Sequence, residues 1–217
     1  MERYVDLNEI SDGKLYTASD MARLGCDDCS GCSACCRGMG KSIVLDPYDV
    51  YLLTRGTGVA FDEMLDNTIE LSVVDGIILP NIKLSGDSES CAYLTDEGRC
   101  SVHKFRPGIC RLFPLGRIYE GESHKYFVQT KECHKGGRSK VRIEKWLGYE
   151  DIKKYEQYIN DWHFFLKKLT GAISGDETMS RNAGVVILSR FYRLGYSGDF
   201  FDEFYNRLEV IKGALGL

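Results

Sequence analysis

Five cysteines fall within the eleven residues "CDDCSGCSACC", at Cys26, Cys29, Cys32, Cys35 and Cys36, and four more follow at Cys91, Cys100, Cys110 and Cys133. Cys29, Cys32 and Cys35 are spaced by two intervening residues, the loop length that lets thiolates converge on one metal ion or cluster. Gly31 and the small Ser30, Ser33 and Ala34 leave the backbone free to wrap such a site and to offer N–H groups to sulfur. The adjacent pair Cys35-Cys36 fits a plain zinc site less well, because neighbouring side chains tend to diverge. It points either to two metal sites or to a cluster that takes ligands from unusual angles.

The second group is "CAYLTDEGRCSVHKFRPGICRLFP". A turn at Asp96-Glu97-Gly98 makes Cys91 and Cys100 the two arms of a hairpin that brings their sulfurs together. Pro107 and Gly108 end a short helix over 102–105 and turn Cys110 back toward them, and Cys133 closes the next hairpin. Metal ligands are therefore expected at Cys29, Cys32, Cys35, Cys36, Cys91, Cys100, Cys110 and Cys133. Either an iron–sulfur cluster, the favoured reading, or zinc satisfies this donor set. Arg106, Arg111 and His103 are candidates for the surroundings of the centre, where they could pair with its negative charge or with a substrate carboxylate; Arg106-Pro107 could equally just stop a helix. With so many thiols available, His103 and His134 are better read as hydrogen-bonding or surface residues than as ligands, and His124 and His163 as turn and helix residues. Disulfides are disfavoured by the odd cysteine count and by an N-terminus, "MERYVDLNEISDGKLY", with no basic start or apolar run.

At 217 residues the chain can bury a sizeable core without crosslinks. Its 43% hydrophobic and 28% charged residues are those of a folded protein. A formal charge of −4 argues against general nucleic-acid binding. No apolar run is long enough for a membrane span, and the expected location is cytoplasmic. Asp46 and Pro47 open a short helix ending near Gly56, and "FDEMLDN" gives another. "IELSVVDGIILPNIKL" reads as a hairpin about Asp75-Gly76, and "LFPLGRIYEGESHKYFVQT" as a second that turns at 120–123. After the linker "HKGGRSK" the pattern turns helical. Ile152, Tyr155, Ile159, Trp162, Phe165, Leu166 and Leu169 recur at three- and four-residue steps, and two further helices are expected over about 177–194 and 199–213.

The run Cys29-x2-Cys32-x2-Cys35-Cys36, followed by Cys91, Cys100 and the "RPGICR" element Arg106, Pro107, Cys110 and Arg111, resembles the signature of the zinc- or iron-chelating cysteine-cluster (YkgJ-like) family. The likeness covers about residues 26–115. Cys133 before Gly136-Gly137 is similar to a further cysteine in longer members, and Cys26 is an addition to the pattern. The family's name implies metal chelation by these cysteines. Its cysteine region is also similar to that of flagellin lysine N-methylase, a considerably longer enzyme. This chain has no glycine-rich loop after a strand to hold a nucleotide or S-adenosylmethionine. The C-x3-C-x2-C motif of radical S-adenosylmethionine enzymes fails too, since Met39 stands where its third cysteine belongs.

The expected fold is α+β. An irregular cysteine-rich metal-binding region with short helices and β-hairpins, residues 1–138, precedes a bundle of about three helices, residues 139–217, packed on it. Two functions remain open. In one, an iron–sulfur centre supports redox or protein-modifying chemistry, methyl transfer included, on a protein or small-molecule substrate. In the other, structural zinc holds the fold while the helices bind a protein partner.

Overall fold

A computed structural model describes residues 6–25, 32–133 and 136–217; Cys26, Cys29 and His134 lie outside the described residues. The described residues mix helices with four two-stranded antiparallel sheets. A first turn, α1 (Leu7–Ile10), is capped by Asp6, whose carboxylate accepts from the Asn8 N–H. Strand β1 (Met21–Gly25) follows. Helix α2 (Pro47–Thr57) begins where Asp46 and Pro47 place it, with a reciprocal capping box between Asp46 and Asp49. It runs past Gly56 to a left-handed Gly58. Gly56 is small for a different reason, set out below. Helix α3 (Phe61–Asn67) leads into β2 (Ile69–Val74) and β3 (Ile77–Ile82), whose turn has positive φ at Asp75 and Gly76, as the hairpin dipeptide requires. Short strands β4 (Leu84–Ser85) and β5 (Ser90–Cys91) pair next, and α4 (Gly108–Leu112) carries Cys110.

Strands β6 (Leu115–Glu120) and β7 (Ser123–Val128) form the second expected hairpin, turning at Gly121-Glu122. Beyond the linker the chain is first extended, not helical. Strand β8 (Ser139–Arg142) pairs with β1, more than a hundred residues earlier, before α5 (Ile143–Leu147) begins. The expected helices follow as α6 (Ile152–Ile173), α7 (Glu177–Ile187) with a π-helical extension over Leu188–Arg193, and α8 (Phe200–Leu215). Asp151, Asp176 and Asp199 cap their N-termini. Among the described residues no helix is long and apolar enough to cross a membrane.

The main core draws on both halves of the chain. Leu45, Val50, Leu53, Met64 and Ile69 from the first half pack with Tyr155, Tyr158, Trp162, Phe191 and Phe204 from the second. A smaller core joins Ala22 and Leu24 of β1 to Leu115, Tyr126, Ile143 and Leu147. Between the two lies a polar seam. Arg117 of β6 donates to the Tyr155 hydroxyl at 3.0 Å, and Tyr126 donates to Glu156 at 2.9 Å. Nδ1 of His124 lies 2.6 Å from Oδ1 of Asn160.

Burial, followed by the nearby Arg117 guanidinium, pushes the His124 pKa down to about 4, although Glu156 lies 3.9 Å from its Nε2. The Asn160 contact works the other way, while His163 and Lys125 add to the lowering. A folded-state pKa below the ordinary value means that the unfolded chain takes up the proton first. Stability present above about pH 6.5 is then lost as the pH falls toward 4. Asp46 and Asp49 are pushed up by burial and carry the opposite pH slope, but equally so in any His124 variant. The wild type should therefore lose about 2 kcal/mol more than His124→Gln between pH 7 and 5. Urea unfolding at the two pH values measures this, and equal losses would refute it.

Candidate metal centre

Four chain segments bring cysteines together. The first is a 3-10 turn over Ala34–Cys36, closed by the Cys36 N–H donating to the Ser33 carbonyl at 2.9 Å. This tight turn sets the vicinal sulfurs side by side, with the Cys35 thiol donating to Cys36. The divergence expected of adjacent side chains is thus overcome by the backbone. Arg37 bridges to Ser90, and Gly38 donates its N–H to the Glu89 carbonyl at 3.1 Å. The cysteine loop is thereby zipped onto β5 and delivered to Cys91. Arg37 reinforces the join through the hydroxyls of Ser88, at 3.2 Å, and Ser90.

The second and third segments are the two arms of the turn at 95–99. Leu94 bridges to Cys100, and Ser101 donates its N–H to the Tyr93 carbonyl at 2.9 Å. At each cysteine the N–H two residues on donates to the sulfur, Tyr93 to Cys91 and Val102 to Cys100. Such bonds favour the thiolate, the form that binds metal. The fourth segment is α4. Its Gly108 N–H donates to Oδ1 of the buried Asp49 at 2.6 Å, which fixes Cys110 against α2. A side chain at Gly108 would meet the Tyr155 hydroxyl at 2.6 Å, so only glycine lets the turn sit so close to α6.

Cys35, Cys91, Cys100 and Cys110 consequently feel one another's charge. Burial pushes the Cys110 thiol up, helped by Cys91, Asp49, Cys100 and Cys35. Burial likewise raises Cys91 and Cys100. The hydrogen bond to Cys36, then burial, raises Cys35. Crowded sulfurs that resist ionisation when left to themselves are a donor set suited to a cation, which replaces their protons. Among the described residues no three His, Cys, Asp or Glu side chains stand together as a ready-made ligand group. The quartet is thus within electrostatic reach but not drawn in to bonding distance. Cys32 and Cys133 are half-buried free thiols outside it.

The flanking residues divide by role. Arg106 favours ionisation of both Cys35 and Cys100 and touches the His103 ring. Arg111 instead clamps the backbone, donating from Nε to the Arg106 carbonyl at 3.0 Å and from its terminal nitrogen to the Lys104 carbonyl at 2.5 Å. Its guanidinium also lies over Tyr149, 5.3 Å from the ring centroid. Asp49 was not foreseeable as a support for Cys110. Its spacing from Asp46 signals only the capping box that both residues also form.

Phe105, between Cys100 and Cys110, packs its ring against Gly56 of α2, where an added Cβ would fall 2.1 Å from the ring. Gly56→Ala should therefore push the ring, and the segment from Cys100 to Arg106 with it, out of place. Alanine's better helix propensity, about 1 kcal/mol, is outweighed, for a net loss of about 1–2 kcal/mol with weaker metal retention. Urea unfolding and a chelator competition measure the two effects; a stabilised variant would contradict the packing described.

A family model, CxxCxxCC, described as "Putative zinc- or iron-chelating domain", matches residues 28–134. No curated protein and no solved structure matches the chain. The matched span starts just before Cys29 and ends just after Cys133, so it takes in the quartet and α2, while Tyr149 and Tyr155, against which α4 packs, lie beyond it. Residues 28–134 thus match the CxxCxxCC family of zinc- or iron-chelating domains.

Proposed function

We propose that Cys35, Cys91, Cys100 and Cys110 hold the metal as thiolates, that Cys29, Cys32, Cys36 and Cys133 supply further ligands, and that the group bound is an iron–sulfur cluster. The carrying observation is that backbone bridges join the Cys35 turn to β5 at Ser90, beside Cys91, and Leu94 to Cys100, while α4 carries Cys110, whose thiol feels the charge of the other three. The N–H groups of Tyr93 and Val102 and the guanidinium of Arg106 favour ionised sulfur. The same three groups offset the negative charge that thiolate ligation brings, which helps to set a cluster's potential. A bound cluster would supply one-electron chemistry or an open iron for a substrate. The chain's own residues keep the sulfurs paired with N–H donors and hold Arg106 and His103 beside them, where an anionic substrate group would be met.

Structural zinc is the second reading, favoured by the number of thiols in the quartet, which equals the ligand count of a closed tetrahedral site. The helical segment would then serve a protein partner. Anaerobic purification followed by iron, zinc and acid-labile sulfide analysis separates the two. Iron with near-equimolar sulfide and a broad visible charge-transfer band is the expected result. Zinc without sulfide would overturn the cluster in favour of the structural reading, and a chain that retains no metal would overturn both.

A further inference from the structure

The β2–β3 hairpin has one covered edge and one open one. Residues 43–45 cover β3, with the Leu45 N–H donating to the Pro80 carbonyl at 2.9 Å and the Ile82 N–H to the Ile43 carbonyl at 3.0 Å. Among the described residues β2 pairs with β3 alone. Leu71, 43% exposed, and Val73, 71% exposed, project from one face of β2 on either side of the buried Ser72. A free edge normally carries a lysine, a proline or a bulge that deters pairing. The stretch Ile69–Val74 has none of these, and its single charge is Glu70.

We propose that this edge pairs antiparallel with β2 of a second copy, giving a four-stranded sheet across a two-fold axis at Ser72. The strand is self-complementary in that register. Leu71 would face Val73 of the partner copy, Glu70 would face Val74, and no like charges would stand opposite each other. The helices agree with it. Val73 is opposite Ile78 in the hairpin, so both project from one face, and α7 packs on that face with Gly184 against Ile78. Two-fold pairing sets α7 and its mate on the same side of the sheet, bracketing the apolar side chains of both β2 strands. The seam is narrow, so the dimer forms with a Kd on the order of 10–100 μM.

Sedimentation of the metal-loaded protein under reducing conditions, from about 5 to 500 μM, tests this. The wild type should shift from monomer to dimer over that range. Val73→Lys, which places an ammonium in the seam, should weaken association by about ten-fold or more, and Leu71→Lys should do the same. Val210→Lys, at a 69% exposed position on α8, should leave it unchanged. Both seam positions are exposed, so circular dichroism should show the variants folded. A wild type that remains monomeric at the top concentration overturns the proposal, as does a dimer indifferent to both seam substitutions.

Discussion

Cys110→Ser should lower metal affinity by at least about 100-fold, more than the loss typical of residues that merely orient a ligand. Cys110 is the thiol on which the most supports converge. The Asp49–Gly108 bond fixes the start of its helix, Pro107 precedes that helix, and Arg111 ties it back to Arg106 and Lys104. Its sulfur is in charge contact with all three partners of the quartet. A serine hydroxyl occupies the same place but does not ionise to a soft ligand. The chain should also lose thermal stability, because metal that binds only the folded state no longer favours it. Cys26→Ser, at the cysteine additional to the family pattern, should leave the metal content unchanged. Metal analysis and a thermal scan of both variants check this. Full metal content in Cys110→Ser would remove that residue from the ligand set.

The second large effect is expected at Arg117, away from the sulfurs. Its guanidinium, with Nε shut off from solvent, lies 5.6 Å from the Tyr155 ring centroid and is the cation that favours ionisation of both Asp46 and Asp49. Arg117→Met keeps most of the side chain's volume and deletes the charge. Removing one partner of a buried charged group leaves the others uncompensated, at a cost of about 3 kcal/mol. Because Asp49 also holds Gly108, the metal should be retained less well too. Arg117→Lys should recover only part of the stability, since an ammonium lacks the planar face that lies on Tyr155. Urea unfolding ranks the three proteins, and a loss below about 1 kcal/mol for Arg117→Met would show the seam to be solvent-relaxed.

Local signals in the sequence were sufficient for most elements. Asp46-Pro47 set the start of α2, Asp75-Gly76 the first hairpin turn, and the apolar spacing from Ile152 to Leu169 the face of α6 that is now buried. The hairpin that joins Cys91 to Cys100 was likewise readable from its turn residues. Features that depend on distant partners were not. β1 and β8 are short, with no marked alternation, and exist because they pair with each other across most of the chain. Gly56 looked like a helix end because its real reason, the ring of Phe105, lies far along the sequence. Adjacent Cys35 and Cys36 looked divergent because spacing alone does not reveal a 3-10 turn. Arg117 sits in the short strand β6, and nothing nearby in sequence marks it as the cation that favours ionisation of two distant aspartates.

X-ray absorption at the metal edge of the as-isolated protein tests the all-thiolate centre most directly. The expected result is a first shell of sulfur alone at about 2.3 Å, with a metal–metal shell where the group is an iron–sulfur cluster. A first shell dominated by nitrogen or oxygen at about 2.0–2.1 Å would contradict it, and would place the metal away from Cys35, Cys91, Cys100 and Cys110.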